Sequence, residues 1–108
     1  MPAKIELDAN TPSDLRDEFV AVLHQLGPVQ DLSAQFFSLE TATFVLAAIS
    51  AAADLLAIAT QLIKWRDKAG SRGVQLDKVK IVAGDQTIDL KNTDTQTLIR
   101  VLEGLRDS

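Results

Sequence analysis

The side chains that could carry out chemistry are few, and they form no catalytic pattern. His24 is the only histidine, and the chain has no cysteine. A histidine that acts as a base or a metal ligand needs partners within reach, and no spacing in the sequence supplies them. Asp14, Asp17 and Glu18 stand together at a predicted helix start, where carboxylates favour the positive end of the helix dipole. We therefore predict no catalytic, cofactor or metal site, and we expect a chain that is not an enzyme.

Basic side chains are concentrated after the middle of the chain. This cluster could contact an acidic partner, a membrane surface or phosphate groups. The alternative is a solvated helix end, where cations suit the negative end of the dipole. Trp65 lies within the cluster and would either anchor a protein interface or cover the edge of a sheet. The basic residues are Lys64, Arg66, Lys68, Arg72, Lys78 and Lys80, with Asp67 and Asp77 among them.

The most apolar segment runs from Thr41 to Ile63. Seventeen of its 23 residues are apolar and eight are alanine, so a helix here would be apolar nearly all round. We predict that this helix begins at Leu39 or Thr41 and ends near Ala69, before Gly70. Alanines one turn apart would let another backbone approach the helix closely.

Three environments fit such a helix. A bilayer needs about 20 apolar residues, but Asp54 at its centre would cost roughly 2.5 to 3.5 kcal/mol. The core of the domain is the second environment. A partner or a second copy is the third, because a surplus of apolar surface marks an interaction site. The helix would carry one polar edge that favours protein over lipid, formed by Thr43, Ser50, Asp54 and Gln61 and continued by Lys64 and Lys68.

The helix and its basic end together form the predicted partner-binding surface. A buried Asp54 would need a cationic partner, and it is the best single candidate for setting specificity. The predicted partner-binding residues are Asp54, Gln61, Lys64, Trp65, Arg66, Lys68 and Arg72.

The N-terminal part of the chain predicts a strand, a helix and a second strand. Residues 4–8 alternate between charged and apolar side chains, as a short strand does. Thr11 is the predicted N-cap of a helix that Gly27-Pro28 ends. Residues 35–39 are short and apolar enough for the second strand.

The C-terminal part predicts a hairpin and a last helix. Residues 78–83 and 87–90 read as two strands joined by a turn that contains glycine. Thr93 and Gln96 have the spacing of a capping box, and the apolar stripe that follows ends near Gly104.

These elements predict an α+β fold in one domain, residues 1–108. A small sheet, made of the N-terminal strand, the second strand and the hairpin, would pack against three helices, the central one long and apolar. The net charge of −4 and the few aromatic residues argue against nucleic-acid binding. Because the N-terminus has no apolar leader segment, we expect a cytoplasmic protein, with membrane association left open by the apolar helix.

The order of these features resembles the effector-associated constant component proteins of bacterial conflict systems. Those proteins combine an N-terminal strand and helix, an alanine-rich helix with a Trp-plus-basic end, a hairpin and a leucine-rich helix. KWRDK stands here where a Trp-Leu-Arg run is expected. The matching stretches are KIELD, LRDEFVAVL, FVLAAISAAADLLAIATQLIKWRDKAG, VKIVAGDQTIDL and TLIRVLEGL.

The resemblance implies a non-catalytic companion that couples an effector, such as a protease or another toxic enzyme, to its regulatory machinery. It implies that this chain is an adaptor in an antiphage or self/non-self conflict system. The partner would be an effector or regulatory protein encoded nearby, and a homo-oligomer is also open. The alternative function is a membrane-inserting or oligomerising component whose helix over residues 41–63 enters a bilayer, with Lys64, Trp65 and Arg66 at the interface.

Overall fold

The computed structural model describes residues 2–32 and 40–107, which form one antiparallel sheet of five strands and three α-helices. The predicted α+β class is confirmed. Two short 3₁₀ turns, Leu76–Lys78 and Leu90–Asn92, flank the hairpin. The elements are β1 (Ala3–Asp8), α1 (Ser13–Leu26), β2 (Val29–Asp31), β3 (Thr41–Leu46), α2 (Leu55–Ser71), β4 (Lys80–Ala83), β5 (Gln86–Asp89) and α3 (Thr95–Asp107).

The sheet has the strand order β2-β3-β1-β4-β5, with β1 at its centre. Side chains alternate between the two faces of a strand. Ile5 pairs with Phe44 on one side and with Ile81 on the other, and all three are buried on the inner face. Lys4 is exposed on the outer face. The apolar core therefore lies on the face of the sheet that carries Ile5, Phe44 and Ile81.

The three helices cover the inner face of the sheet. α2 packs between α1 and α3, and a single cluster of buried side chains joins the helices to the strands. Trp65 of α2 lies near the centre of this cluster, with Phe19 of α1 and Leu98 of α3. The result is a two-layer arrangement in which α2 contributes to both helix–helix seams.

The predicted long helix is wrong in its first half. Residues 41–46 form β3, residues 47–54 form a loop, and α2 begins only at Leu55. In β3, Ala42, Phe44 and Leu46 pair with inner-face residues of β1, so the segment has the period of two that a strand requires. The alanines that follow continue the apolar run, and this continuity obscured the change of period.

The polar edge predicted along that helix consequently does not exist. Thr43 lies in β3, Ser50 lies in the loop, and Asp54 precedes α2, so only the later part of the edge, Gln61, Lys64 and Lys68, is helical. Residues 41–63 therefore do not form one continuous helix. Within residues 2–32 and 40–107, no helix is both long enough and apolar enough to cross a membrane.

The structure contains most of the other predicted elements, although two of the predicted helix caps are wrong. The N-terminal strand, the end of α1 before Gly27 and the hairpin are confirmed. In the two-residue hairpin turn Gly84 has φ +58°, a conformation that favours glycine. The strand predicted over residues 35–39 lies outside the described residues. β2 and β3 were not predicted.

The cap of α1 is Pro12 and not Thr11. The Thr11 hydroxyl instead donates to the Asp8 carbonyl at 2.6 Å. The capping box predicted for α3 is also wrong, because the Thr97 amide donates to the Asp94 carboxylate at 2.7 Å, and the helix continues past Gly104 to Asp107.

Candidate interaction surface

An apolar loop between β3 and α2 is the most distinctive exposed feature of the molecule. We call residues 47–54, AAISAAAD, the alanine loop. Four of its alanines, Ala47, Ala48, Ala51 and Ala52, are exposed. Leu56, in the first turn of α2, is 62% exposed and is the one large hydrophobic side chain exposed in the described part of the chain. We call these five exposed apolar residues, which lie between β3 and the first turn of α2, the apolar surface.

Contacts with the end of α1 hold the alanine loop in place. Ile49 is buried in the core, and the Ser50 amide donates to the Leu26 carbonyl at 2.7 Å. The Ser50 hydroxyl accepts from the Ala52 amide at 3.2 Å. At Gly27 a side chain would overlap the Ala48 carbonyl oxygen, so the loop lies directly against the backbone of α1's C-terminal end. The apolar surface is therefore preformed.

Asp54 is the N-cap of α2 and is exposed. Its carboxylate accepts a hydrogen bond from the Ala57 amide at 3.1 Å, which satisfies one of the free amides at a helix start. The aspartate thus caps a helix, and it is not the buried charge that the long helix required. An aspartate directly before a run of helix formers is a start signal, and it could have identified this boundary in the sequence.

Three of the predicted partner-binding side chains are bonded to α1. Gln61 is hydrogen-bonded to Gln25 at 3.0 Å, the Lys68 ammonium lies 2.7 Å from the Glu18 carboxylate, and Arg72 lies 2.6 Å from Asp14. Residue numbers rise along α2 as they fall along α1, so the two helices are antiparallel. We call these three pairs the α1–α2 seam.

The Arg72–Asp14 contact shifts the pKa values of both groups in the directions expected for an ion pair. The hydrogen bond from the Arg72 guanidinium lowers the pKa of the Asp14 carboxyl, and the same bond raises the pKa of Arg72. Both side chains are exposed, so water and salt screen this pair.

Trp65 and Arg66 also serve the fold. Trp65 is 1% exposed, its indole N–H donates to the Leu15 carbonyl at 2.8 Å, and its ring lies 4.6 Å from that of Phe19. In this conformation a partner cannot reach it. Arg66 donates to the Thr93 carbonyl at 2.7 Å and so ties α2 to the start of α3. Lys64, the remaining predicted partner-binding residue, is exposed.

The groove around the single histidine offers little chemistry. His24 lies on α1 beside a groove of about 330 Å³ that faces β2. Arg16 on the same groove is paired with Asp31 at 3.0 Å. Across residues 2–32 and 40–107, no three or more His, Cys, Asp or Glu side chains are grouped so that they could hold a metal ion.

No family model matches the chain, and no curated protein or solved structure is significantly similar to it. The fold and the exposed residues define a two-layer α+β protein with a preformed apolar loop.

Proposed function

We propose that this chain is a non-catalytic adaptor that binds another protein through the alanine loop and Leu56. The observation that carries the proposal is the exposure of Leu56 beside four exposed alanines on a loop that the core and α1 hold in place. Exposed apolar patches of this kind mark interaction sites. Alanine loses no rotamer freedom on burial, and a preformed loop lowers the ordering cost of association.

The polar groups of the interior support a non-catalytic role. Asp8 is the one buried carboxylate among the described residues, and it accepts hydrogen bonds from the amides of Asn10 and Gln75, both at 3.0 Å. Every buried side-chain nitrogen or oxygen in the described part of the chain has a partner. Reactive groups commonly lie in clefts that perturb their pKa. The Asp8 carboxylate is instead buried, and it connects the segment that follows β1 to the segment that follows α2.

The partner that we propose is an effector or regulatory protein encoded nearby, in a bacterial antiphage or conflict system. The order of β1, the hairpin and α3 agrees with the resemblance to the effector-associated constant component proteins. The alanine-rich stretch agrees less well, because it divides into β3, the alanine loop and α2. Of the predicted partner-binding residues, Lys64 is exposed, and Asp54 lies at the end of the alanine loop.

Co-purification with the proteins encoded beside this chain tests the proposal. We expect a complex with wild-type protein, loss of that complex in Leu56→Glu, and retention in Gln96→Glu, which adds the same charge at an exposed position of α3. Circular dichroism should show that both variants are folded.

Three outcomes would contradict this function. The first is a complex that survives Leu56→Glu, and the second is no complex with any neighbouring protein. The third is a homo-oligomer in analytical ultracentrifugation that Leu56→Glu dissociates, since the apolar surface would then be occupied by a second copy and not by an effector.

A further inference from the structure

The outer edge of β5 is open. β5 ends the sheet, and no strand in the described part of the chain pairs with its outer side. The Leu90 amide donates to the Val79 carbonyl at 3.0 Å. Because the main-chain groups of antiparallel strands point alternately toward and away from the partner, those of Ile88 face β4, and those of Thr87 and Asp89 face outward.

Three main-chain groups along this edge consequently have no partner within residues 2–32 and 40–107. The Asp89 carbonyl accepts from the Thr93 hydroxyl at 2.6 Å, which leaves the Thr87 N–H, the Thr87 carbonyl and the Asp89 N–H. An exposed row of such groups is a template for an added strand.

A groove of about 400 Å³ separates the hairpin from α3 beside this edge. Val101 and Leu105 of α3 and Ala83 of β4 line it with apolar side chains, and Gln86 of β5 contributes its rim. A strand added to β5 would direct alternate side chains toward this face of the sheet. The groove has the size and the lining of a site for aliphatic side chains.

Arg100 places a positive charge on the wall of the groove, and that charge also acts on the nearby Asp94 carboxylate. The Arg100 side chain is exposed, and it makes neither an ion pair nor a hydrogen bond with any residue in the ranges 2–32 and 40–107. The other arginines, Arg16, Arg66, Arg72 and Arg106, all lie within 3.3 Å of a carboxylate. A guanidinium is matched to a carboxylate in geometry as well as in charge.

Gly104 keeps the groove open. It lines the groove, and a Cβ built on it would have no neighbour within 4 Å. Glycine inside a helix costs about 0.5 to 1 kcal/mol of stability relative to alanine, and no neighbouring atom at Gly104 requires a glycine there. The glycine leaves a space in the groove that a longer side chain would fill.

We propose that the edge of β5 and this groove bind an extended peptide that carries an aliphatic side chain and a carboxylate. The peptide main chain would bond to Thr87 and Asp89 as a further strand, its aliphatic side chain would lie against Val101 and Leu105, and its carboxylate would pair with Arg100. The inference goes beyond the adaptor function and does not depend on the alanine loop.

Selection from a displayed library of random linear peptides tests the proposal with the full chain as bait. We expect enrichment of sequences with Asp or Glu on the same face of an extended strand as an aliphatic residue. In ¹⁵N-labelled protein, a synthetic peptide from the selection should shift the amides of Thr87, Asp89 and α3. No enrichment, or shifts confined to other elements, would overturn the proposal.

Matched variants separate the two recognition elements. Arg100→Glu should weaken binding by about 10- to 100-fold, in line with loss of a charged hydrogen bond, whereas Arg106→Glu on the same helix should not. Thr87→Pro removes the outward N–H without breaking a bond to β4 and should abolish binding, whereas Thr87→Ala keeps that N–H and should bind. Equal peptide binding by Arg100→Glu and wild type would contradict the proposed site.

These results are independent of the adaptor test. Leu56→Glu should bind the selected peptides as wild type does, and Arg100→Glu should retain the neighbouring protein. Loss of peptide binding in Leu56→Glu would contradict a separate peptide site.

Discussion

At the scale of single residues, side chains that looked like partner contacts hold the helices together. Trp65 is hydrogen-bonded to the Leu15 carbonyl, Arg66 to the Thr93 carbonyl, and Lys68 to Glu18. The sequence predicted partner contacts for these side chains, and for Trp65 also a place over the edge of the sheet. A charge or an indole has the same sequence signal whether its partner is another protein or another element of the same chain, so the packing of α2 against α1 and against the start of α3 is needed to distinguish the two.

Trp65→Phe should destabilise the protein by about 1 to 3 kcal/mol. The substitution removes the indole hydrogen bond and leaves part of a well-packed volume unfilled. Urea unfolding followed by circular dichroism measures the change, because the variant has no tryptophan to report it. Lys64→Ala, at the exposed position next to it, should stay within about 0.5 kcal/mol of wild type. Equal stability of Trp65→Phe and wild type would contradict the packing described here.

Two glycine-to-alanine substitutions should have opposite signs. Gly104→Ala should stabilise the protein by about 0.5 to 1 kcal/mol, because the site is helical and has open space around the added methyl. Gly27→Ala should destabilise it, since the methyl would overlap the Ala48 carbonyl oxygen. Thermal unfolding of the two variants gives the comparison, and a stabilising Gly27→Ala would show that the alanine loop is not held against α1.

At the scale of elements, local signals predicted most of the fold. β1, α1, the hairpin and α3 each have their own periodicity and end signals, and all four are present. β3 could not be recognised in this way, because its apolar residues run directly into the alanine loop. β2 is only three residues long, and such a strand is defined by its pairing with β3 more than by its own sequence.

The candidate surface was predictable in part. The sequence located an apolar surplus between residues 41 and 63, and Leu56 and the exposed alanines lie within it. It could not show which residues of that segment stay exposed, because Phe44 and Ile58 are buried by strands and helices from distant parts of the chain. The β5 edge and Arg100 were missed, because an unpaired strand edge has no signal in the sequence.

Hydrogen exchange should distinguish β3, the alanine loop and α2 from a continuous helix over residues 41–69. We expect slow exchange for the amides of β3 that bond to neighbouring strands and for the interior of α2. The exposed Ala51 amide, outside both elements, should exchange much faster. NMR-detected exchange resolves these positions. Uniform protection from residue 41 to residue 69 would instead support the long helix.

The cap of α3 should make a pH-dependent contribution to stability. The Thr97 amide, the Thr97 side chain and the charge of Arg100 lower the pKa of Asp94, with the amide hydrogen bond as the largest cause. Because the folded pKa lies below the unfolded one, this contribution is present above about pH 3.9 and is lost as the pH falls through the folded pKa.

Asp94→Asn keeps a capping oxygen but cannot titrate in this range. Its urea midpoint should therefore fall less than that of wild type between neutral pH and the acid range. Denaturation at a series of pH values measures the difference. The same dependence in both proteins would show that Asp94 does not contribute to the acid sensitivity.

At the scale of the whole molecule, the fold depends on pairings between distant parts of the chain. β1 pairs with β3 and with β4, and one buried cluster unites the sheet with all three helices. Trp65 lies in that cluster and is the only tryptophan of the chain. Its environment therefore reports on the interior as a whole.

Unfolding should follow a single cooperative transition. We expect the midpoint from Trp65 fluorescence to coincide with the midpoint from far-ultraviolet circular dichroism, since loss of the shared core exposes the indole and releases the helices together. Urea titration with both probes makes the comparison. A fluorescence change that clearly precedes the loss of secondary structure would mean that the α1–α2 seam opens separately.

Gly27 has a consequence for how this protein changes in evolution. Because only hydrogen fits between its α-carbon and the Ala48 carbonyl, descendants that keep the fold are expected to keep glycine there. The alanines exposed above it carry no such constraint and are free to diverge with whatever they contact. A preserved glycine after the first helix would then identify distant relatives whose overall sequences no longer resemble each other.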